Sequence, residues 1–182
     1  GRFAGGNSTT WRDMKTYKDV AYAVSDNTTE GLLVFDLSNL PSEVIFANQF
    51  QDVFMRAHNI YIEEAQGRLY VVGTGTQTDG VHVYDLTCNP LEPELIASVS
   101  TLPGGYIHDI YVRDNIGYAS HGFPGFAIWD FNDPENPVLT AMLETGGYNH
   151  SSWVTNDGQY AVYAEEIPRG EPLGIIDLAN TA

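Results

Sequence analysis

The chain has 182 residues, of which 8 are Lys or Arg and 24 are Asp or Glu, so its formal net charge is −16. This charge would repel the phosphate groups of nucleic acids and of anionic membranes, and we expect neither as a partner. Cys88 is the single cysteine, which excludes an internal disulfide and a cysteine-based zinc motif within the chain. No run of about 18 apolar residues is present, so the sequence predicts no transmembrane segment.

Short segments rich in Val, Ile, Tyr and Phe recur along the chain in a constant order, as expected for β-strands. The first copy contains WRDMKTY (11–17), AYAVS (21–25), LLVFDL (32–37) and VIFANQF (44–50). The second contains AHNIYIE (57–63), LYVVG (69–73), VHVYDL (81–86) and LIASVS (95–100). The third contains IHDIYVR (107–113), GYASH (117–121), FAIWDF (126–131) and VLTAML (138–143). The fourth contains NHSSWVT (149–155), YAVYA (160–164) and LGIIDL (173–178).

The spacing of these copies indicates the fold class. The aspartates that end the third segments are 49, 45 and 47 residues apart, and no window of about 12 residues has a clear helical period. Four-stranded units repeated every 40 to 50 residues or so are typical of propeller blades. We therefore predict an all-β chain that forms a single β-propeller domain or propeller fragment over residues 1–182. Its four recognisable blades cover approximately 11–50, 57–100, 107–143 and 149–182.

The repeated aspartates have a local structural explanation. Each one is followed by turn-forming residues, such as the Leu-Ser-Asn-Leu-Pro that follows the first. An aspartate at such a position accepts hydrogen bonds from backbone N–H groups ahead of it. We therefore interpret the set as turn residues and not as a catalytic group: Asp36, Asp85, Asp130 and Asp177.

The segments of the LLVFDL type resemble the LVIVD repeat. Longer stretches resemble the secreted bacterial choice-of-anchor B propeller family, over nearly all 182 residues. They are TWRDMKTYKDVAYAVSD (10–26), AHNIYIEEAQGRLYVVG (57–73), YIHDIYVRD (106–114) and YNHSSWVTNDGQYAVYAEE (148–166). The resemblance implies a propeller exported to the cell surface or medium, and it implies no defined biochemical activity.

The fourth copy lacks a fourth strand, and two arrangements would complete the propeller. In the first, the chain is part of a larger propeller of six to eight blades, and missing blades or another chain cover both ends. In the second, a four-bladed ring closes when residues 1–5, in particular Arg2–Gly5, supply the missing strand. An open arc of four blades would expose apolar sheet faces and unpaired strand edges, which isolated proteins avoid.

A set of polar residues recurs at the start of the first strand of each blade. In a propeller these strands line the central channel, so equivalent positions form a ring about the axis. The residues at this position are Arg12, His58, His108 and His150, and two of them are followed by Asp13 and Asp109. The ends of the second strands lie on the same rim and carry Asp26, Thr74, His121 and the pair Glu165 and Glu166.

Two interpretations of this rim remain open. Neutral imidazoles and carboxylates suit a divalent transition metal, whereas carboxylates and carbonyls alone would suit calcium. Alternatively, each histidine hydrogen-bonds the next loop or a nearby Asp and ties neighbouring blades together. Arg12 fits neither interpretation cleanly. The candidate metal ligands are His58, His108, His150, Asp109, His121 and Glu165.

The rim also offers groups for an organic ligand. Three aromatic residues lie in glycine-rich loops near it and would form a wall for a sugar or peptide. The candidate ligand-binding residues are Arg12, Asp13, Asp26, Tyr106, Phe123 and Tyr148. We therefore predict a secreted or cell-surface binding or structural module, with a protein or glycan as partner. The alternatives are a metal-dependent hydrolase with its site at the channel mouth, and a subunit of a surface assembly whose acidic rim binds calcium.

Overall fold

The computed structural model describes residues 3, 5, 11–75, 80–99, 103 and 105–181. Within these residues the chain forms four antiparallel sheets and one short 3-10 helix, Leu178–Asn180. The prediction of an all-β chain is therefore confirmed. No helix in the described ranges is both long enough and apolar enough to cross a bilayer.

Each sheet is a meander in which every strand pairs with the next one along the chain. The first sheet contains β1 (Arg12–Tyr17), β2 (Val20–Ser25), β3 (Leu32–Asp36) and β4 (Ile45–Phe50). The second contains β5 (Asn59–Glu63), β6 (Arg68–Val72), β7 (Val81–Asp85) and β8 (Glu94–Val99). The third contains β9 (Asp109–Arg113), β10 (Ile116–Ser120), β11 (Phe126–Asp130) and β12 (Val138–Leu143). The last contains β13 (Asn149–Val154), β14 (Tyr160–Glu165) and β15 (Gly174–Asp177).

The sheets repeat one another in detail as well as in strand order. In each of the first three, the register between the third and fourth strands shifts at the same place, after Val34, Val83 and Ile128. The hairpin between β9 and β10 turns on Asp114 and Asn115, whose φ angles of 54° and 62° are those of a type I′ turn. The register shift thus recurs with the repeat, whereas the turn at Asp114 and Asn115 belongs to the third sheet.

The core lies between the faces of neighbouring sheets. Residues of the first sheet such as Tyr22 and Val34 pack against Ile60 of the second, and all three are fully buried. Val72 of the second sheet packs with Trp129 of the third in the same way. The first strands of successive sheets therefore lie side by side, with contacts from β1 to β5, from β5 to β9 and from β9 to β13.

Alternate side chains of these first strands point to a shared space. The rings of Tyr61 and Tyr111 lie 5.2 Å apart, and that of Trp153 lies 4.3 Å from Tyr111 and 6.4 Å from Tyr61. The second, third and last sheets thus bring their equivalent aromatic residues together. Because side chains alternate along a strand, the intervening residues, such as Ile60 and Ile110, point into the core instead.

The outer faces of the first and last sheets are exposed. Met14 on β1 is 65% exposed, although the equivalent Ile60 and Ile110 are buried. Ile175 on β15 is 69% exposed, on the face opposite to Ile176, which packs against the core. These two faces have the apolar composition of an interface between sheets.

The proposed closing strand, Arg2–Gly5, falls largely outside the described residues. Of this segment only Phe3 and Gly5 are described, and neither belongs to a strand. The Phe3 ring contacts Phe35 and Phe46 of the first sheet, at 5.5 and 4.8 Å between centroids. In the described part of the chain, the last sheet has three strands.

The aspartates at the ends of the third strands are turn residues, as predicted. Each carboxylate accepts a hydrogen bond from the backbone N–H two residues ahead. The N–O distances are 2.8 Å for Asp36, 2.7 Å for Asp85, 2.8 Å for Asp130 and 3.0 Å for Asp177. The hydroxyl groups of Ser38 and Thr87, together with these backbone bonds, hold the pKa of Asp36 and of Asp85 below the ordinary value.

We expect Asp85→Ala to lower the free energy of unfolding by about 1 kcal/mol, because the backbone N–H of Thr87 loses its acceptor. Asp85→Asn retains an acceptor oxygen and should cost less. The Asp85 contribution should be complete above about pH 4 and should decline as the pH falls through its folded pKa, because protonation removes the acceptor charge. Urea unfolding measured against pH tests this, and equal losses for the two variants would contradict it.

Candidate functional site

Three imidazoles form a row across the second, third and last sheets. His58 and His108 directly precede β5 and β9, and His150 is the second residue of β13. The ring centroids of His58 and His108 are 4.2 Å apart, and those of His108 and His150 are 4.6 Å apart. We call these three residues the histidine row. Side-by-side packing of the first strands is what brings them together, as the repeat position predicts.

A β-bulge places the last member of the row. On β13, Asn149 pairs with Glu165 and Ser151 pairs with Ala164, so His150 is an extra residue without a partner of its own on β14. A bulge of this kind redirects the side chain of the extra residue. His150 therefore leaves the regular alternation of β13 and lies beside His108.

The tautomer of His108 follows from its hydrogen bond. Its Nδ1 lies 2.9 Å from the backbone carbonyl oxygen of His150, and a carbonyl oxygen only accepts. Nδ1 must therefore carry the proton, and in the neutral ring Nε2 keeps its lone pair. Burial and the neighbouring imidazole of His58 lower the pKa of His108 to about 4, so the ring is neutral at neutral pH.

A carboxylate completes a group that could hold a metal ion. One ligand atom each from His108, His150 and Glu166 lie within 4.8 Å of one another. Glu166 directly follows β14, and its backbone N–H donates to the carbonyl oxygen of Tyr148 at 2.9 Å. Two imidazoles and one carboxylate form a ligand set of the kind that binds zinc.

The structure differs here from the sequence prediction, which selected Glu165. Adjacent residues of a strand point to opposite faces, so Glu165 and Glu166 diverge. Glu165 lies on the face of β14 that carries Ala161, and it is not part of the group formed by the two histidines and Glu166. The sequence places both acids at the end of the second strand, so it indicates either as a ligand. Only the register of β14 shows which of the two side chains lies beside the histidines.

The first member of the row is part of a bond between sheets. Nδ1 of His58 lies 3.0 Å from Oδ2 of Asp26, at the end of β2. Asp13 of β1 accepts a hydrogen bond from the backbone N–H of Ile60, also at 3.0 Å, and from Lys15. These contacts connect the first sheet to the second. This is the arrangement expected if polar residues of the rim hold neighbouring repeats together.

Arg12 occupies the row position in the first sheet but has a different role. Its Nη1 lies 2.9 Å from Oε2 of Glu30 and 3.0 Å from Oγ of Ser25. Both partners belong to the first sheet or its loops. The side chain is therefore bound within its own repeat.

Two further predicted metal ligands, His121 and Asp109, lie near the row but are not part of the possible metal-binding group. His121 is buried, and its Nε2 accepts a hydrogen bond from the indole of Trp129 at 3.1 Å. This bond uses the lone pair that a metal would need. Burial raises the pKa of Asp109, and the nearby Asp13 carboxylate adds to the effect. Neither residue belongs to the group of possible ligands in the described ranges.

Aromatic side chains flank the histidine row. The Tyr148 ring lies 5.4 Å from His108, and the Tyr106 ring lies 6.3 Å from it. Phe123 stacks edge-on against Tyr148 at 5.1 Å and is 68% exposed. The Tyr148 ring also lies close against the backbone at Gly122, where a Cβ would come within 2.6 Å of the ring. The aromatic residues predicted for the rim thus lie next to the possible metal ligands.

We expect the ring signals of His108 to remain unchanged between pH 8 and 5 in protein treated with EDTA, with a midpoint of about 4. The unfolded chain takes up this proton near pH 6.5. The contribution of His108 to stability should therefore be complete above about pH 6.5 and should be lost as the pH falls towards 4. NMR titration tests this, with His108→Gln used to assign the signals. A midpoint near 6.5 would contradict it.

No family model and no curated protein matches the chain. Solved structures do match. A "putative 6-phosphogluconolactonase" from Bacteroides uniformis ATCC 8492 has a TM-score of 0.70 and 10% identity, over 93% of this chain and 54% of that one. The computationally designed Ika8 protein has a TM-score of 0.62 and 9% identity, over 93% and 46%. A chain of the nidogen/laminin complex has a TM-score of 0.62 and 11% identity, over 90% and 57%. These likenesses show the fold alone, and the chain spans about half the length of each matched chain.

Proposed function

We propose that the chain is a recognition module whose rim binds a divalent transition metal through His108, His150 and Glu166. The observation that carries this proposal is the hydrogen bond from Nδ1 of His108 to the carbonyl of His150. Metal-binding histidines commonly donate their second nitrogen to such an acceptor, which orients the ring and keeps the lone pair of the other nitrogen available. The ligand atoms of the three residues lie within 4.8 Å of one another.

The proposed ion is a transition metal, because two of its three ligands are imidazoles. Imidazole nitrogen suits zinc and other first-row metals, whereas calcium prefers oxygen ligands. The burial that lowers the pKa of His108 also keeps this ligand unprotonated at neutral pH. Three protein ligands leave coordination positions open to a bound partner.

We propose further that the four sheets are consecutive blades of a propeller. Each is a meander, successive first strands are in contact, and the aromatic rings of Tyr61, Tyr111 and Trp153 meet on one side of them. The exposed faces that carry Met14 and Ile175 support a larger ring, in which further blades or another chain cover both ends.

The partner that we propose is a protein or glycan outside the cell. The resemblance to the choice-of-anchor B family supports export, and the charge of −16 favours cationic partners over phosphate-rich ones. Tyr106, Tyr148 and Phe123 offer aromatic faces beside the proposed ion. Rings of this kind contact sugars and peptide side chains while the metal binds a polar group.

A metal-dependent hydrolase is a second candidate, because an ion held by only His108, His150 and Glu166 would have room for a water molecule. A bound metal would there supply an activated water, and a carboxylate near His150, such as Asp109, would accept a proton. Hydrolysis of ester or amide substrates that is abolished by EDTA would favour this candidate over recognition alone.

Two adjacent carboxylates provide a matched test of the metal site. We expect Glu166→Gln to weaken zinc binding at least about tenfold, because a charged ligand is lost. Glu165→Gln makes the same chemical change one residue away and should leave zinc affinity unchanged. Isothermal titration of EDTA-treated protein measures both.

Replacing both histidines extends the test. His108→Ala with His150→Ala should abolish stoichiometric zinc binding while the far-ultraviolet circular dichroism remains that of a β protein. If the double variant retains zinc, or if Glu165→Gln weakens binding as much as Glu166→Gln, the assignment of the site is wrong.

A further inference from the structure

A cavity of about 310 Å³ lies at the seam between the third sheet and the last. It is formed by the connection that follows β12, by the end of β14 and the start of β15, and by the loop between those two strands. Its lining combines one aromatic ring, two prolines and a leucine with polar groups. The lining includes Thr145, Tyr163, Glu165, Pro168, Pro172 and Leu173.

Glu165 brings a buried carboxylate to this cavity. Both of its carboxylate oxygens are shielded from solvent and have no hydrogen-bond partner among the described residues, and the same is true of Oγ1 of Thr145. Asn149, which pairs with Glu165 across the strands, is fully buried, and both polar atoms of its amide also lack a partner. Three polar side chains at the seam thus have unused hydrogen-bonding capacity.

The backbone around Glu165 is built closely against the carboxylate. A Cβ on Gly147 would lie 2.9 Å from Oε2 of Glu165 and 2.5 Å from the carbonyl oxygen of Ile167. Glycine is therefore needed at this position for the loop to pass over the acid. The ion pairs of the described residues involve other acids, namely Asp13, Asp26, Glu30 and Asp114.

We propose that this cavity binds the side chain of a lysine or arginine from a partner protein. A buried carboxylate without a partner is costly, and a cation with hydrogen-bond donors offsets that cost. The size and the apolar walls favour an organic cation over a bare metal ion, because Pro168, Pro172 and Leu173 offer contacts to an aliphatic stem. Tyr163 offers a ring face to the charged end.

This proposal deepens the recognition role proposed above, and it is independent of the metal. The two sites use different side chains, because Glu166 belongs to the possible metal-ligand group and Glu165 lines the cavity. A partner with a basic side chain would also be attracted by the net charge of −16. The two sites can therefore fail separately.

The test uses agmatine as an arginine analogue and N-acetyl-norleucine amide as an uncharged analogue of the lysine stem. We expect agmatine to shift the amide signals of Gly146, Gly147 and Gly174 saturably in NMR titrations of the 15N-labelled chain treated with EDTA. Glu165→Gln should weaken this binding at least about tenfold, as when one partner of a buried charge pair is removed. Thr145→Val should weaken it to a smaller extent, and N-acetyl-norleucine amide should not bind.

Three results would overturn the proposal. The first is agmatine binding that is unchanged in Glu165→Gln, and the second is equal binding of the uncharged analogue, which would indicate an apolar cavity only. The third is the absence of saturable shifts at these glycines in a chain whose zinc binding is intact. Loss of zinc binding with agmatine binding retained would instead disprove the metal site and leave the cavity assignment standing.

Discussion

Face-to-face packing of neighbouring sheets is the constraint on which the rest of the structure depends. A four-stranded meander has two faces, and each face is buried against one neighbouring sheet. On the second sheet, Ile60 packs against the first sheet and Val72 packs against the third. Burial of such side chains contributes about 25 cal/mol per Å² of apolar surface. The same packing leaves Met14 and Ile175 exposed, because each lies on a sheet face without a neighbour in the described structure.

This packing also creates the histidine row. Residues 58, 108 and 150 are far apart in the chain, but each stands at the start of a first strand, and the first strands lie side by side. The central ring, His108, lies within 5 Å of the rings of both His58 and His150, and its burial together with the His58 imidazole lowers its pKa to about 4. The hydrogen bonds of the row give its members different roles. His58 connects to Asp26 of the first sheet, and His108 is oriented by the carbonyl oxygen of His150.

Two adjacent acids at the end of β14, Glu165 and Glu166, belong to two separate sites. Side-chain alternation sends Glu165 to the seam cavity and Glu166 to the histidines. Opposite β14, the bulge at His150 brings that imidazole to the side of Glu166. A recognition surface with a metal site and a separate cation-binding cavity would contact a partner at two points.

The sequence by itself determined the strands, the repeat, the turn aspartates and the equivalence of the three histidines. These features depend on side-chain periodicity or on bonds between residues two apart, as in the turn at Asp85. Only the tertiary structure decided that Glu166 rather than Glu165 joins the histidines, that Arg12 pairs with Glu30, and that Trp129 occupies Nε2 of His121. The physical reason is that a one-residue change in register reverses the face of a side chain, and that the partner of a buried polar group comes from another part of the chain.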